Sequence, residues 1–194
     1  HCHLSKTMAN LLTLGALPGP DYENSKCITL WGYNPANSVP AKMTYINKAI
    51  KNGAKLIVID PQEIPLAKRA DLHLKLRPGT DGALALGLIH VMIKENLYDR
   101  EFVESWTVGF DELVKLVEDF TPDKVSEITY VSSESIVRAA RMLTSNRPTS
   151  LYPGIAIELQ SNGFQAARGI AILQAIIGDI DVKGGGIITS PPDL

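Results

Sequence analysis

The feature that most constrains the fold is the stretch from Ile28 to Ser38, an apolar run that stops at Gly32 and opens into small polar residues. β-forming residues that end in glycine, followed by Asn, Pro and Ser ahead of an amphipathic segment, are typical of a strand, a tight turn and a helix start. Glycine lets the backbone approach a ligand, and the free amides of a helix N-terminus favour an anion. The stretch is therefore either a phosphate-binding turn or an ordinary strand-to-helix loop.

The rest of the chain alternates strands with helices. Apolar residues recur at helical spacing from Val39 to Ile50, and the nearly continuous apolar run from Lys55 to Asp60 is typical of a strand buried on both faces. Further strands are predicted at 72–76 and 151–157, with an edge strand at 187–188. Further helices are predicted at 4–14, 100–106, 110–120, 133–144 and 164–177, and one more is predicted to start at Thr80 or Asp81. This alternation predicts a doubly wound, Rossmann-like α/β fold with a mostly parallel sheet and helices on both faces.

Length and composition set broader limits. The 194 residues are expected to form a single domain, with a leading helix and loop at 1–26 and the sheet and its helices at 27–194. Because the chain starts at His1 and ends in Pro-Pro-Asp-Leu, we expect both ends to be cuts in a longer protein. The 19 basic and 21 acidic residues form no basic stripe, so no nucleic-acid partner is predicted. No apolar run has the length of a membrane span.

Two carboxylates follow predicted strands, where ligands bind to such sheets. Asp60 closes the second strand of the unit and could accept ribose hydroxyls, and Asp81 could accept the two N–H donors of a guanine edge. Each could equally be a turn or cap residue. Together with Gly32 they favour a nucleotide. The segment 32–37 lacks the second and third glycines of a nicotinamide dinucleotide fingerprint, which argues against that cofactor.

The ordered motifs Trp31–Ser38, Ile59–Pro61 and Arg77–Asp81 resemble the molybdopterin oxidoreductases of the dimethyl sulfoxide reductase type, and the likeness extends to Gly184–Gly186. The resemblance implies a fragment of the large catalytic subunit containing its third domain, which holds one of two molybdopterin guanine dinucleotides around molybdenum or tungsten. It also implies an iron–sulfur cluster in a missing upstream domain, an iron–sulfur electron-transfer subunit and a small-molecule substrate. The setting would be anaerobic respiration in a prokaryotic cytoplasm or periplasm.

The resemblance also implies which residues contact the dinucleotide. They are Trp31, Gly32, Asn34, Pro35, Ser38, Asp60, Pro61, Gln62, Gly79, Asp81, Gln160 and Asn162. Within this set, Gly32, Asn34 and Ser38 are implied to lie by the pyrophosphate, and Gln160 and Asn162 either approach the pterin or form a turn. The family usually has arginine after Asp-Pro, so Gln62 removes one charged contact.

Three further residues are implied to lie at the metal. Cys2 stands thirteen positions before Gly15, as the metal-ligating cysteine or selenocysteine does in the family, and a thiolate suits such a metal. His3 resembles the histidine of formate dehydrogenases that moves a proton, and Arg168 matches their anion-binding arginine. The alternatives are a buried cysteine, a histidine pointing away and a surface arginine. Glu158-Leu159 replaces the usual Thr-Gln pair, which leaves the substrate open.

We therefore expect an oxidoreductase fragment that is inactive alone. The alternative is a non-catalytic relative that keeps the fold for structure and electron transfer. His73 and His90 are predicted to be structural, and Trp106, Phe120 and Tyr130 to be core or interface residues.

Overall fold

The computed structural model describes residues 3–188. Its helices are α1 (Leu4–Leu14), α2 (Pro35–Ser38), α3 (Lys42–Lys51), α4 (Asp81–Lys94), α5 (Arg100–Trp106), α6 (Phe110–Val117), α7 (Pro122–Thr129), α8 (Ser133–Ser145) and α9 (Gly163–Ile177). Its strands are β1 (Gly19–Pro20), β2 (Cys27–Trp31), β3 (Lys55–Ile59), β4 (Leu72–Leu74), β5 (Thr149–Pro153) and β6 (Gly186–Ile187). Single 3-10 turns lie at Tyr22–Asn24, Ala67–Arg69 and Ile155–Ile157.

Four strands form one parallel sheet in the order β4-β3-β2-β5. The chain moves outwards from β2 through β3 to β4 and then returns to place β5 on the other side of β2. The direction of winding therefore reverses between β2 and β5, and such a switch point opens a crevice at the carboxyl ends of the two strands. The predicted α/β fold with a parallel sheet is confirmed.

Side chains of the sheet alternate between two apolar clusters, one on each face. Trp31, Ile57 and Leu74 belong to the cluster on the face covered by α4, α8 and α9. Leu30 and Val58 point the other way, into a smaller cluster that includes residues of α3. Every residue of β2 is buried, as expected for a central strand between two helical layers.

Several predicted boundaries are wrong. The strand expected at 151–157 begins at Thr149 and ends at Pro153, where the Gly154 N–H makes the last bond of the ladder to the Trp31 carbonyl at 2.7 Å and a 3-10 turn follows. The helix expected from Val39 begins only at Lys42, after Pro40, which has no N–H to donate, and the separate short helix α2 lies in the segment expected to be a turn. The expected edge strand at 187–188 is β6, which pairs antiparallel with β1 in a separate two-stranded sheet.

Helix α7 was not predicted, although its sequence contains a start signal. Thr121 precedes it as the N-cap, with its side chain accepting the N–H of Lys124, and Pro122 occupies the first turn. The helix is short and mostly polar, so the apolar period that identified its neighbours is weak there.

The apolar side of α1 faces outwards. Leu4, Met8, Leu11 and Leu12 were predicted to share a side, and they do, but Leu12 is 68% exposed and only Ala9 of this helix is buried, where α1 packs against α9. Trp106 and Tyr130, expected in the core or an interface, are also exposed. Among residues 3–188, no helix combines the length and the apolar character that a bilayer span requires.

Candidate functional site

The floor of the crevice is made of backbone. Gly32 ends β2 with a φ of 55°, and its N–H donates to the Ile59 carbonyl at 2.7 Å. A Cβ on Gly154, at the end of β5, would lie 2.0 Å from the Gly32 carbonyl oxygen. The two strand ends therefore meet backbone to backbone, without side chains between them.

The turn above this floor contains an unsatisfied polar group. Asn34 precedes α2 without a side-chain capping bond, and its Oδ1 is buried with no hydrogen-bond partner among residues 3–188. Ser38 donates its hydroxyl to the Asn34 carbonyl at 3.0 Å, and Pro35 is buried at the helix start. A buried polar atom without a partner is costly, so the Asn34 amide is available to a ligand.

Asp81 lies at the start of α4 and is tied to the end of β2. The Trp31 indole Nε1 donates to Asp81 Oδ1 at 2.8 Å, and both side chains are buried. Burial raises the pKa of the Asp81 carboxyl, the Trp31 hydrogen bond lowers it, and the charge of Asp60 raises it further. A ligand that supplies N–H donors would favour the ionised form.

Two loops meet beside Asp81. The Asn162 side-chain amide donates to the Gly79 carbonyl at 3.0 Å, and a Cβ on Gly79 would lie 3.4 Å from Gln160 Oε1. Gly79 has a φ of 81°, which disfavours other residues there. The loop before α4 and the loop before α9 are thus joined at the carboxyl edge of the sheet.

Asp60 and Pro61 follow β3 at the same edge. Asp60 Oδ1 accepts the N–H of Gln62 at 2.8 Å in a local turn, and its backbone N–H donates to the Leu74 carbonyl at 3.2 Å. The predicted structural role of His73 agrees with its contact, since its Nε2 lies 2.9 Å from the Asp60 carbonyl oxygen. The Gln62 side chain is exposed.

The first turn of α1 is fixed to the end of β5. His3 Nδ1 lies 3.0 Å from Glu158 Oε1, and the Lys6 N–H donates to Glu158 Oε2 at 3.0 Å. The Lys6 ammonium donates to the Tyr152 hydroxyl at 3.2 Å and to the Pro153 carbonyl at 3.1 Å. These contacts bring the residue that follows Cys2 beside the crevice, while Cys2 itself lies outside the described residues.

Sequence reasoning missed four of these residues: Lys6, Tyr152, Gly154 and Glu158. Their contacts join segments about 150 residues apart for Lys6 and about 120 for Gly154, a distance at which no periodic pattern gives a signal. Two of the four had a mark in the sequence: Gly154 belongs to the Pro-Gly pair that interrupts an apolar run, and Glu158 stands where formate dehydrogenases usually have threonine, but neither mark indicated the contact that the residue makes.

Arg168 is exposed on α9 and forms no ion pair within residues 3–188. Its role in anion binding stays a prediction.

His90 is buried with Nδ1 2.7 Å from the Val117 carbonyl, away from the sheet edge, in the structural role expected of it.

The described part of the chain contains no group of three His, Cys, Asp or Glu side chains that could hold a metal ion. Cys27 is buried in β2, and this burial raises the pKa of its thiol to about 12. Cys27 is the first residue of β2 and therefore lies at the opposite end of the strand from the candidate site, so it is not placed to ligate a metal there. Any thiolate ligand from this chain would therefore be Cys2.

Comparison with known proteins agrees with this geometry. The family model "Molybdopterin oxidoreductase" matches residues 3–187. Acetylene hydratase of Syntrophotalea acetylenica is 40% identical over 93% of this chain and 25% of its own length, and formate dehydrogenase H of Escherichia coli is 37% identical over 86% of this chain and 23% of its own.

Among solved structures, acetylene hydratase from Pelobacter acetylenicus superimposes with a TM-score of 0.89 at 38% identity, covering 96% of this chain and 26% of that one. The chain therefore spans about a quarter of the length of these relatives. On the match of the family model, which covers almost the whole chain, this protein belongs to the molybdopterin oxidoreductase family.

Proposed function

We propose that residues 1–194 form one dinucleotide-binding domain in the catalytic subunit of a molybdenum or tungsten enzyme with two molybdopterin guanine dinucleotides. The domain would bind one of these dinucleotides, and Cys2 would ligate the metal. The observation that carries the proposal is the convergence of the Trp31–Asp81 pair, the Gly79–Asn162 contact and the Gly32–Gly154 floor at one switch point.

The residues at this edge fit a dinucleotide in their chemistry. The side-chain-free floor can accept the close approach of a pyrophosphate, and Asn34 has a buried amide oxygen to pair. Asp81 offers a carboxylate to the N–H donors of guanine, and Asp60 offers one to ribose hydroxyls. The loop of Gln160 and Asn162 would contact the pterin end.

When bound, the pterin-held metal supplies the redox chemistry, and the protein supplies binding and orientation. In our proposal the edge residues hold the nucleotide, His3 accepts or donates a proton beside the metal, and Arg168 holds a small anionic substrate. The remaining domains of the subunit, an iron–sulfur cluster within them and an iron–sulfur partner would complete the enzyme, in a prokaryotic cytoplasm or periplasm.

A second candidate is a non-catalytic relative that keeps this fold for structure and electron transfer. The buried carboxyl of Asp81 argues against this candidate. A protein without a ligand at this edge has no need to keep a carboxylate where burial opposes its charge.

The test uses the full-length protein, purified without oxygen. Metal analysis is expected to find molybdenum or tungsten, and acid release is expected to yield two guanine nucleotides per metal. Cys2→Ala should lose the metal ligand and the activity. The matched control is Cys27→Ala, which removes a buried thiol at the amino end of β2, away from the candidate site, and it should keep the metal. A well-folded protein with neither metal nor pterin would favour the non-catalytic candidate.

A further inference from the structure

Glu158 connects the loop between β5 and α9 to the start of α1. One carboxylate oxygen lies 3.0 Å from His3 Nδ1, and the other accepts the Lys6 N–H at 3.0 Å. The Glu158 side chain is 4% exposed. A carboxylate so enclosed needs partners for its oxygens, and here both oxygens bond to the first turn of α1.

The carboxylate is held on a rigid support. A Cβ on Gly163 would lie 2.8 Å from the Glu158 carbonyl oxygen, so the loop backbone packs directly on the first residue of α9. The Glu158 N–H also donates to the Ile155 carbonyl at 3.0 Å. The loop therefore has little freedom to move the carboxylate away from α1.

His3 is held in an unusual conformation opposite this carboxylate. Its φ of 64° lies in the left-handed region, which residues other than glycine rarely adopt. An ionised carboxylate can only accept hydrogen bonds, so a neutral imidazole must direct a protonated nitrogen towards it. The nitrogen that faces Glu158 is Nδ1.

We propose that Glu158 is a positioning residue for His3. It fixes the ring as the tautomer with the proton on Nδ1, and it leaves Nε2 as an acceptor. A ligand that uses His3 must then bring a hydrogen-bond or proton donor to Nε2. The inference rests on the proposed function only for the use of His3 at the metal, because the tautomer does not require a metal.

Glu158→Gln tests the proposal, because the amide has the shape of the carboxylate but only one acceptor oxygen, the other oxygen being replaced by a donor NH₂. Its oxygen must accept the Lys6 N–H, which turns its NH₂ towards His3 Nδ1. Nδ1 must then be the acceptor, and the proton moves to Nε2. The variant keeps the bond to α1 and reverses the tautomer.

The experiment is ring nitrogen NMR on the full-length protein labelled with ¹⁵N-histidine. The His3 signals are assigned by their loss in His3→Gln. We expect a protonated Nδ1 and an unprotonated Nε2 in the wild type, and the opposite assignment in Glu158→Gln. The control is Lys6→Met, which removes the contacts to Tyr152 and Pro153 but keeps the Lys6 N–H, and it should retain the wild-type tautomer.

A second measurement is the rate at which diethyl pyrocarbonate acylates His3, followed by mass spectrometry. Acylation needs an unprotonated nitrogen, which is the outward Nε2 in the wild type. In Glu158→Gln, Nε2 carries the proton, and moving that proton to Nδ1 would place two donors against each other at residue 158. Acylation should therefore be about tenfold slower in Glu158→Gln. His73 in the same samples is the internal reference and should react at an unchanged rate.

A neutral wild-type ring that carries its proton on Nε2 would overturn the proposal, whether or not the variants fold. So would equal tautomers in the wild type and Glu158→Gln, or a reversal in Lys6→Met. Metal and pterin analysis of the same wild-type sample separates this outcome from failure of the proposed function. If the purified protein contains no cofactor but its His3 ring carries the proton on Nδ1, the proposed function is wrong and the positioning role of Glu158 still holds.

Discussion

At the scale of a single side chain, Asp81 shows how a residue proposed to bind a ligand can lower the stability of the ligand-free fold. It is buried at the start of α4, where one hydrogen bond from Trp31 offsets only part of the cost of its charge. Its folded pKa is raised above the unfolded value, so the folded state binds a proton more readily. Stability of the ligand-free protein therefore rises as pH falls through the raised pKa and is lower above it.

Asp81→Asn should separate the effect of Asp81 on stability from its proposed role in binding guanine. The Asn oxygen can still accept a hydrogen bond from Trp31, so the thermal midpoint of the cofactor-free protein at neutral pH should stay equal or rise. The increase of this midpoint as pH falls should be smaller than in the wild type, because the variant has no carboxyl to protonate at this position. Retention of the guanine nucleotide should fall about tenfold or more, because a charge-assisted bond is lost. Thermal scans across pH and nucleotide release measure the two effects. The exposed Asp119→Asn is the control, and equal nucleotide retention in both variants would contradict the guanine assignment.

Gly154→Ala tests the floor of the crevice. The new Cβ would lie 2.0 Å from the Gly32 carbonyl oxygen, and no side-chain rotation can separate a Cβ from a backbone oxygen. We expect a loss of more than about 3 kcal/mol in unfolding free energy, at or beyond the upper end of overpacking costs. The control is Gly19→Ala, whose Cβ meets its nearest atom at 3.9 Å. Chemical denaturation compares the two, and similar midpoints would mean that the strand ends can separate.

Among the elements, those with a strong period could be predicted and those set by distant contacts could not. β2 and β3 follow from continuous apolar runs, and α4 from its apolar face and cap signal. The limits of β5, in contrast, depend on its pairing with β2, across more than a hundred residues. Likewise, the sequence motif identified Asp81, whereas only the fold brings Glu158 to His3.

Gly87→Ala tests the packing of α4 against α7. The added methyl would lie 2.9 and 3.0 Å from the two Val125 methyl carbons. Alanine favours a helix over glycine by up to about 1 kcal/mol, yet overpacking costs about 1–3 kcal/mol, so we expect a net loss of stability.

Val125→Ala supplies the matched rescue. On its own it leaves a cavity, but combined with Gly87→Ala it makes room for the new methyl. Denaturation midpoints of the two single variants and the double variant form a cycle, in which the double should be less destabilised than the sum. Additive losses of stability would show that the methyl added at position 87 does not clash with the Val125 side chain.

For the whole molecule, the outward apolar side of α1 predicts a covering partner. Leu4, Met8, Leu11 and Leu12 lie on one side of the helix and are exposed, and the chain spans about a quarter of the length of its relatives. We expect the rest of the full-length polypeptide to cover this side, because a contiguous apolar patch is a liability in water.

Leu12→Gln should therefore lower the thermal midpoint of the full-length protein and leave residues 3–188, prepared alone, unchanged or less prone to aggregate. Glu104→Gln, an exposed change on α5, is the control in both forms. Equal midpoints for wild type and Leu12→Gln in the full-length protein would mean that this side of α1 stays in solvent.

The pairing of β5 with β2 also has a consequence in time. Cys27 pairs with Thr149, about 120 residues apart, whereas β2, β3 and β4 are neighbours in the chain. Closing so large a loop costs entropy before it gains contacts, so this pairing is expected to form late. The crevice between β2 and β5 cannot exist before that moment. A newly made chain would therefore pass through a state with a three-stranded sheet and no crevice between β2 and β5, and binding of the proposed nucleotide would wait until β5 has paired.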